Sequence, residues 1–194
     1  MDKRLSRYLA VAAGGTAASL QGQVLYTDFT PDLVLEGNLQ SVLIDVNQDS
    51  IEDFVLIAED TLVPAINGSY SIGRIRAGGY ANLFNLVLGT QPSQYGYVNQ
   101  LDHGDDIGPD QPFLFAGTMA FQVDSAFPFN EPWNGGAFDK YIGFQIRYTN
   151  DSSHYGWIRL DVSDDARRAV IKDAAFSLIP DTVIAAGYEQ LSSE

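Results

Sequence analysis

At 194 residues the chain suits a single domain, and a 45% hydrophobic, 12% aromatic composition excludes an intrinsically disordered protein. A formal net charge of −14 repels phosphate backbones and anionic lipid, so nucleic acid is not an expected partner, whereas divalent cations are attracted. The absence of cysteine excludes disulfides and thiolate-based zinc or redox chemistry. A bound metal remains one way for such a chain to pin long loops.

The N-terminus reads as an export address. Lys3, Arg4 and Arg7 precede an uncharged, Ala-rich run from Tyr8 to Leu20, and small or polar residues follow up to Gly22. A basic segment, a short apolar segment and a small terminal residue form the pattern of a signal peptide over residues 1–22. The run is too short for a membrane-spanning helix, which needs about 20 apolar residues, so no transmembrane segment is expected. The mature domain is then 23–194, secreted or extracellular and associated with the cell surface.

Alternation dominates the rest of the chain, and helical periodicity is nearly absent. Strands are predicted at 24–29, 41–44, 54–58, 69–76, 81–88 and 113–123. The clearest follows at 141–148, where Ile142, Phe144, Ile146 and Tyr148 share one face. After a turn at Thr149–Ser153, Ile158, Leu160 and Val162 alternate with Trp157, Arg159 and Asp161, which completes a β-hairpin. One more strand is expected at 168–176. Asn67-Gly68 and Asn134-Gly135 are turn signals, and 91–111 and 125–139 read as long loops. The expected architecture is all-β: a two-sheet antiparallel sandwich, jelly-roll-like, with long loops.

One loop carries chemistry. In Asp45-Val-Asn47-Gln-Asp49-Ser-Ile51-Glu-Asp53, oxygen-bearing side chains fall at Asp45, Asn47, Asp49 and Asp53, and Ile51 offers its carbonyl. Calcium is a hard cation that takes six to eight oxygens at about 2.3–2.6 Å, and alternate residues of a tightly curled loop supply them. Three clustered carboxylates would repel each other without a cation. Ser50 stands where such loops usually place glycine, at the sharp turn. No position-12 glutamate follows, so the site is not a helix–loop–helix hand. A Ca2+ site at Asp45, Asn47, Asp49, Ile51 and Asp53 is expected.

Other candidates are weaker. The acidic loop Asp102-His103-Gly104-Asp105-Asp106 lacks a ligand register and reads as solvated surface. His103 and His154 have no nucleophile motif beside them, and no phosphate loop, dinucleotide fingerprint or HExxH is present. No catalytic or organic-cofactor residues are assigned. Trp133, Phe127, Phe129 and Phe138, with Tyr95 and Tyr97, sit in loops, either as anchors onto the core or as a contact surface. Trp157 suits sheet packing or a contact with another subunit.

The segment from His154 to Val162, followed by Val170-Ile-Lys-Asp-Ala-Ala-Phe176 and Asp181–Gly187, resembles the C-terminal half of a group of bacterial secreted and surface proteins. These occur in Bacteroidetes and among exported proteins with a PEP-CTERM tail. Gln23-Val-Leu-Tyr-Thr-Asp28 and the loop Asp45–Phe54 match further motifs of that group, except at Ser50. The resemblance implies an exported surface or matrix protein and no particular activity. The expected function is a secreted, calcium-stabilised structural protein, self-assembling as a homo-oligomer or filament into a coat or fibre. The alternative is a carbohydrate-binding adhesion module that contacts extracellular polysaccharide, and a secreted hydrolase is third.

Overall fold

A computed structural model describes residues 24–66, 68–80, 84–123 and 131–189. The expected export segment, Phe127, Phe129 and Asn67 lie outside the described residues. The protein is all-β, and among the described residues the one helical element is a single 3-10 turn at Glu131–Trp133.

The strands, in chain order, are β1 (Val24–Glu36), β2 (Gln40–Ile44), β3 (Phe54–Ala65), β4 (Gly68–Gly79), β5 (Asn85–Thr90), β6 (Tyr97–Val98), β7 (Asp106–Ile107), β8 (Phe113–Leu114), β9 (Ala116–Val123), β10 (Ala137–Arg147), β11 (Ser153–Val162), β12 (Arg168–Ser177) and β13 (Ile184–Ala185). Eleven of them form one sheet in the order β1-β12-β11-β10-β5-β6-β9-β4-β3-β2, with β8 on β5. That path nearly closes into a barrel, and β7 and β13 form a small second sheet. The expectation of two separate sheets therefore gives way to one sheet folded over on itself. The physical reason is the β5–β6 pair, Gly89↔Val98 and Thr90↔Tyr97, which joins the halves by hydrogen bonds. Glycine makes the corner possible. A Cβ on Gly79 would collide with the Asn85 carbonyl, and one on Gly89 with the Tyr97 carbonyl.

The predicted strand at 113–123 divides at Phe115 for the same reason. Phe113 and Leu114 pair with β5, whereas Ala116 onward pairs with β4, and the Phe115 carbonyl accepts from Gly79 N at 2.8 Å. The chain crosses there from one half of the barrel to the other.

Side chains from both halves share one core. Leu56, Ile75 and Met119 from β3, β4 and β9 are buried in one cluster with Ile142, Phe144, Ile158, Leu160 and Ile171 from β10, β11 and β12. The Phe54 and Phe144 rings meet across it at 4.7 Å. The alternation read from 141–148 and 154–162 is the one observed, with Ile142 opposite Ile158 and Phe144 opposite Gly156. The outer face of these strands is covered as well. Leu88, Leu101, Ile107, Tyr141, Tyr155, Trp157, Ala175, Ile184 and Ala186 make a second core beneath the 91–112 loop and the C-terminal segment. Trp157 is fully buried there, donates from Nε1 to the Tyr188 carbonyl at 3.3 Å and packs edge-on against Tyr141. It serves packing within the chain.

Two strands end the path. Among the described residues β1 pairs with β12 alone and β2 with β3 alone, so a seam runs between β1 and β2, lined by Asp28–Val34 and Val42. Just inside β1, the Asp173 carboxylate is fully buried. It accepts from Arg159 Nε at 3.0 Å, from Arg159 Nη2 and from the Tyr26 hydroxyl at 3.0 Å. This ion pair ties β1, β11 and β12 together.

Candidate metal centre

The loop singled out in the sequence is the connection between β2 and β3, which pair directly from Ile44↔Phe54 outward. Apolar Ile44, Val46 and Phe54 are 1% exposed and anchor both its ends in the main core. Asp53 N donates to the Ile44 carbonyl at 2.8 Å and closes the base. Nine residues must reverse between adjacent strands, so the backbone takes positive φ twice, at Gln48 (60°) and Ser50 (74°). This is the turn that glycine usually makes.

Within the loop the carboxylates and the amide fold back onto the backbone. Asp45 Oδ2 accepts from Ser50 N at 2.9 Å, Asn47 Oδ1 from Asp49 N at 3.0 Å, and Asp49 Oδ1 from Ile51 N at 2.8 Å. The Ile51 side chain is 59% exposed, which leaves only its main chain to the loop. The other oxygen of Asp45, Oδ1, is buried and has no hydrogen-bond partner. A carboxylate oxygen in that position is short of a donor or a cation.

Asp53 plays a different part. It is 5% exposed, its Oδ2 accepts from Val46 N at 3.1 Å and Asn47 N at 3.4 Å, and its Oδ1 accepts from Asn85 Nδ2 at 3.0 Å. Burial pushes its carboxyl up to about 6; the two backbone amides oppose the rise, and the Asp45 and Asp49 charges add to it. Asp53 thus brackets the loop to the barrel wall. Asn85 Nδ2 also donates to the Asp53 carbonyl at 3.2 Å, and Tyr80 N to the same carbonyl at 2.7 Å. At the opposite side, Gln48 Nε2 donates to Thr27 Oγ1 at 2.7 Å, a tie from the loop tip to β1 across the seam.

The five predicted ligand residues are therefore gathered in one closed loop, although among the described residues no three His, Cys, Asp or Glu converge as a preassembled metal cluster. The donor set fits a hard cation on two observations: the unpartnered Asp45 Oδ1, and an all-oxygen set with three carboxylates. Compared with models of protein families, with curated proteins and with solved structures, the chain matches none.

Several of the remaining candidates make contacts within the chain. Asp105 Oδ2 accepts from Asp102 N at 2.7 Å and Lys140 pairs with Asp102, so the 102–106 loop is an exposed, self-bonded turn. His154 Nδ1 bonds the Ser177 carbonyl at 2.8 Å and its ring stacks on Phe176. Trp133 is fully buried and donates to the Val98 carbonyl at 2.9 Å, an anchor for its loop. Phe138 and Tyr95 are 69% and 60% exposed. Asn85 and Gln48 were not singled out in the sequence as partners of the loop. Only Asn85 left a signal: one amide within the apolar run Leu83-Phe-Asn85-Leu-Val-Leu88.

Proposed function

We propose that this is an exported structural or surface protein whose β2–β3 loop is clamped by one calcium ion. Asp45, Asn47, Asp49 and Asp53 supply side-chain oxygens and Ile51 its carbonyl. The observation that carries the reading is Asp45 Oδ1, buried inside the loop without a hydrogen-bond partner while the other oxygen of that carboxylate accepts from Ser50 N. The ion offsets most of the charge of three neighbouring carboxylates and stabilises the positive-φ turn at Gln48 and Ser50. Because Gln48 reaches Thr27, the clamp also holds β2 against β1, between which no strand-to-strand ladder runs among the described residues. The role is architectural, with no catalytic step assigned.

Two sheet edges flanking one seam support the assembly reading, since an unpaired edge is a template for another strand. The test is thermal unfolding of the full chain in calcium and in EDTA, beside Asp45→Ala/Asp49→Ala. At a calcium concentration 100 times Kd the ion adds about 2.7 kcal/mol to the wild type. The double variant should gain nothing from calcium. Equal calcium gains in both proteins would rule the clamp out.

A further inference from the structure

The hairpin of β3 and β4 outruns its neighbours. Its strands pair continuously from Phe54↔Gly79 to Ala65↔Gly68, but β2 stops at Gln40↔Ala58 and β9 at Ile72↔Val123. Among the described residues the far end of the hairpin is therefore a two-stranded ribbon, reaching about 13 Å past its last neighbour at about 3.3 Å per residue. No residue from Thr61 to Gly73 is charged. Ile66 is fully exposed and Leu62 68% exposed, with Pro64 and Ala65 exposed between them. The base of the ribbon is held: Thr61 Oγ1 donates to Asn38 Oδ1 at 3.3 Å, and Arg167 Nε to Asp60 Oδ1 at 3.0 Å. A ribbon braced this way projects from the barrel and does not fold back onto it. Two strands without flanking strands are marginally stable in water, so an apolar ribbon of this kind calls for a cover from outside.

A matching cavity lies in the seam. β1 leaves the β12 ladder after Asp28 and rejoins it at Leu33, so Phe29–Asp32 bulge out of it. Between the bulge and β2 opens a groove of about 460 Å³, lined by Asp28–Val34 and Val42. That size falls within the roughly 300–1,000 Å³ of sites that enclose a small ligand, hence room for several side chains. Val34 is half-exposed in the groove, and Leu33 and Val42 pack against the main core beneath it. At the loop end the Gln48–Thr27 bond closes the seam, so the groove admits side chains and not a whole strand. Its charged groups are acidic: Asp28 accepts from the Thr30 hydroxyl at 2.7 Å, and Asp32 is exposed. Such a rim repels an acidic segment and accepts an uncharged tip that brings backbone amides and the Ser69 hydroxyl. The other long uncharged loop, around Tyr95, lies flat on β9, where Thr118 N donates to the Gly96 carbonyl at 2.9 Å, and does not project. A bilayer suits the tip less well than this groove, because the nearest cationic side chains along the hairpin, Arg74 and Arg76, pair with Glu59.

We infer that the β3–β4 hairpin tip of one copy docks in the β1–β2 groove of a second copy, with Leu62 and Ile66 against Leu33, Val34 and Val42. The inference rests on the assembly part of the proposed function and not on the calcium clamp. Tip and groove are different surfaces, so each copy offers one of each and the contact is head-to-tail. Such a contact extends into an open chain unless its rotation closes a ring. One tip in one groove is a small contact, below about 1,200 Å² in total, and therefore weak. The net charge of −14 on each copy opposes it, so salt strengthens the link.

The experiment is sedimentation velocity on the full chain in calcium and about 1 M sodium chloride, where the Debye length is about 3 Å. Concentrations run up to about 1 mM, which reveals even a millimolar Kd. The weight-average mass should climb with concentration above that of the 21.2 kDa monomer. Ile66→Asp and Val34→Asp, at exposed positions of the tip and the groove, should each stay monomeric, with near-UV circular dichroism showing that they are folded. Val34→Gln takes the place of Val34→Asp if the latter does not fold. An equal mixture of the tip and groove variants should form dimers and nothing larger, because one working tip and one working groove remain. Phe138→Asp, which adds the same charge elsewhere, should associate like the wild type. A wild type that is monomeric throughout would overturn the inference and the assembly reading together. Assembly that survives both variants would overturn the inference and leave the assembly reading standing. A mixture that stays monomeric, the mark of tip-to-tip pairing, would overturn it too, as would a monomer that binds phosphatidylcholine vesicles through Ile66 instead.

Discussion

Replacing Ser50 by glycine should stabilise the protein. Ser50 sits at φ 74°, with its side chain exposed and its N–H donating to Asp45 Oδ2, a bond that glycine keeps. A left-handed backbone costs an L-residue about 1–2 kcal/mol. Glycine's greater freedom in the unfolded chain gives back about 0.5–1 kcal/mol. The net gain is about 0.5–1 kcal/mol, or about 1–4 °C in Tm for a domain of this size. Its distribution is informative. If the loop keeps this conformation without calcium, Tm rises equally in EDTA and in calcium. If calcium enforces the turn, the gain appears instead as about two- to fivefold tighter calcium binding. Differential scanning calorimetry in both conditions, with a calcium titration, reads both quantities. A Ser50→Gly protein with lower Tm in calcium and weaker calcium binding would refute the reasoning.

Other perturbations test separate parts of the account. Arg159→Leu removes the partner of a fully buried carboxylate, and urea unfolding should show a loss of about 3–5 kcal/mol, with Arg159→Leu/Asp173→Leu recovering part of it. In EDTA, stability should fall as pH rises through the window from 3.8 to about 6, because Asp53 is harder to ionise folded than unfolded. The sign is that of a raised acid: the folded chain holds the proton longer, so ionisation costs it about 3 kcal/mol more. Urea midpoints across that pH range check it, and a midpoint that rises through the window in EDTA would contradict the buried, metal-free description of Asp53.

Local features were legible in the sequence where a local rule governs them. The period-2 alternation of Ile142, Phe144 and Ile146 against Ile158, Leu160 and Val162 gave the β10–β11 hairpin, because one face of each strand packs into the main core. The loop register from Asp45 to Asp53 was readable because its residues meet within nine positions of chain. Closure of the barrel was not readable. It depends on a two-residue pairing, Gly89 and Thr90 with Val98 and Tyr97, too short to leave a pattern. Asn85 reaches Asp53 across 32 positions, so no spacing links it to the loop. Asp173 reads like any polar residue of an alternating strand. Only the loop and C-terminal layer over the outer face of β10–β12 reveals that its side is buried.

The proposed calcium ion completes the β2–β3 loop at Asp45 Oδ1, among the described residues the one buried carboxylate oxygen without a hydrogen-bond partner. The most direct measurement is an anomalous difference map from crystals grown in calcium. The account predicts one peak inside the loop, at about 2.3–2.6 Å from Asp45 Oδ1, with oxygens of Asn47, Asp49, Ile51 and Asp53 around it. A map with no peak in the loop, and Asp45 Oδ1 satisfied by water or by a backbone N–H, would contradict it.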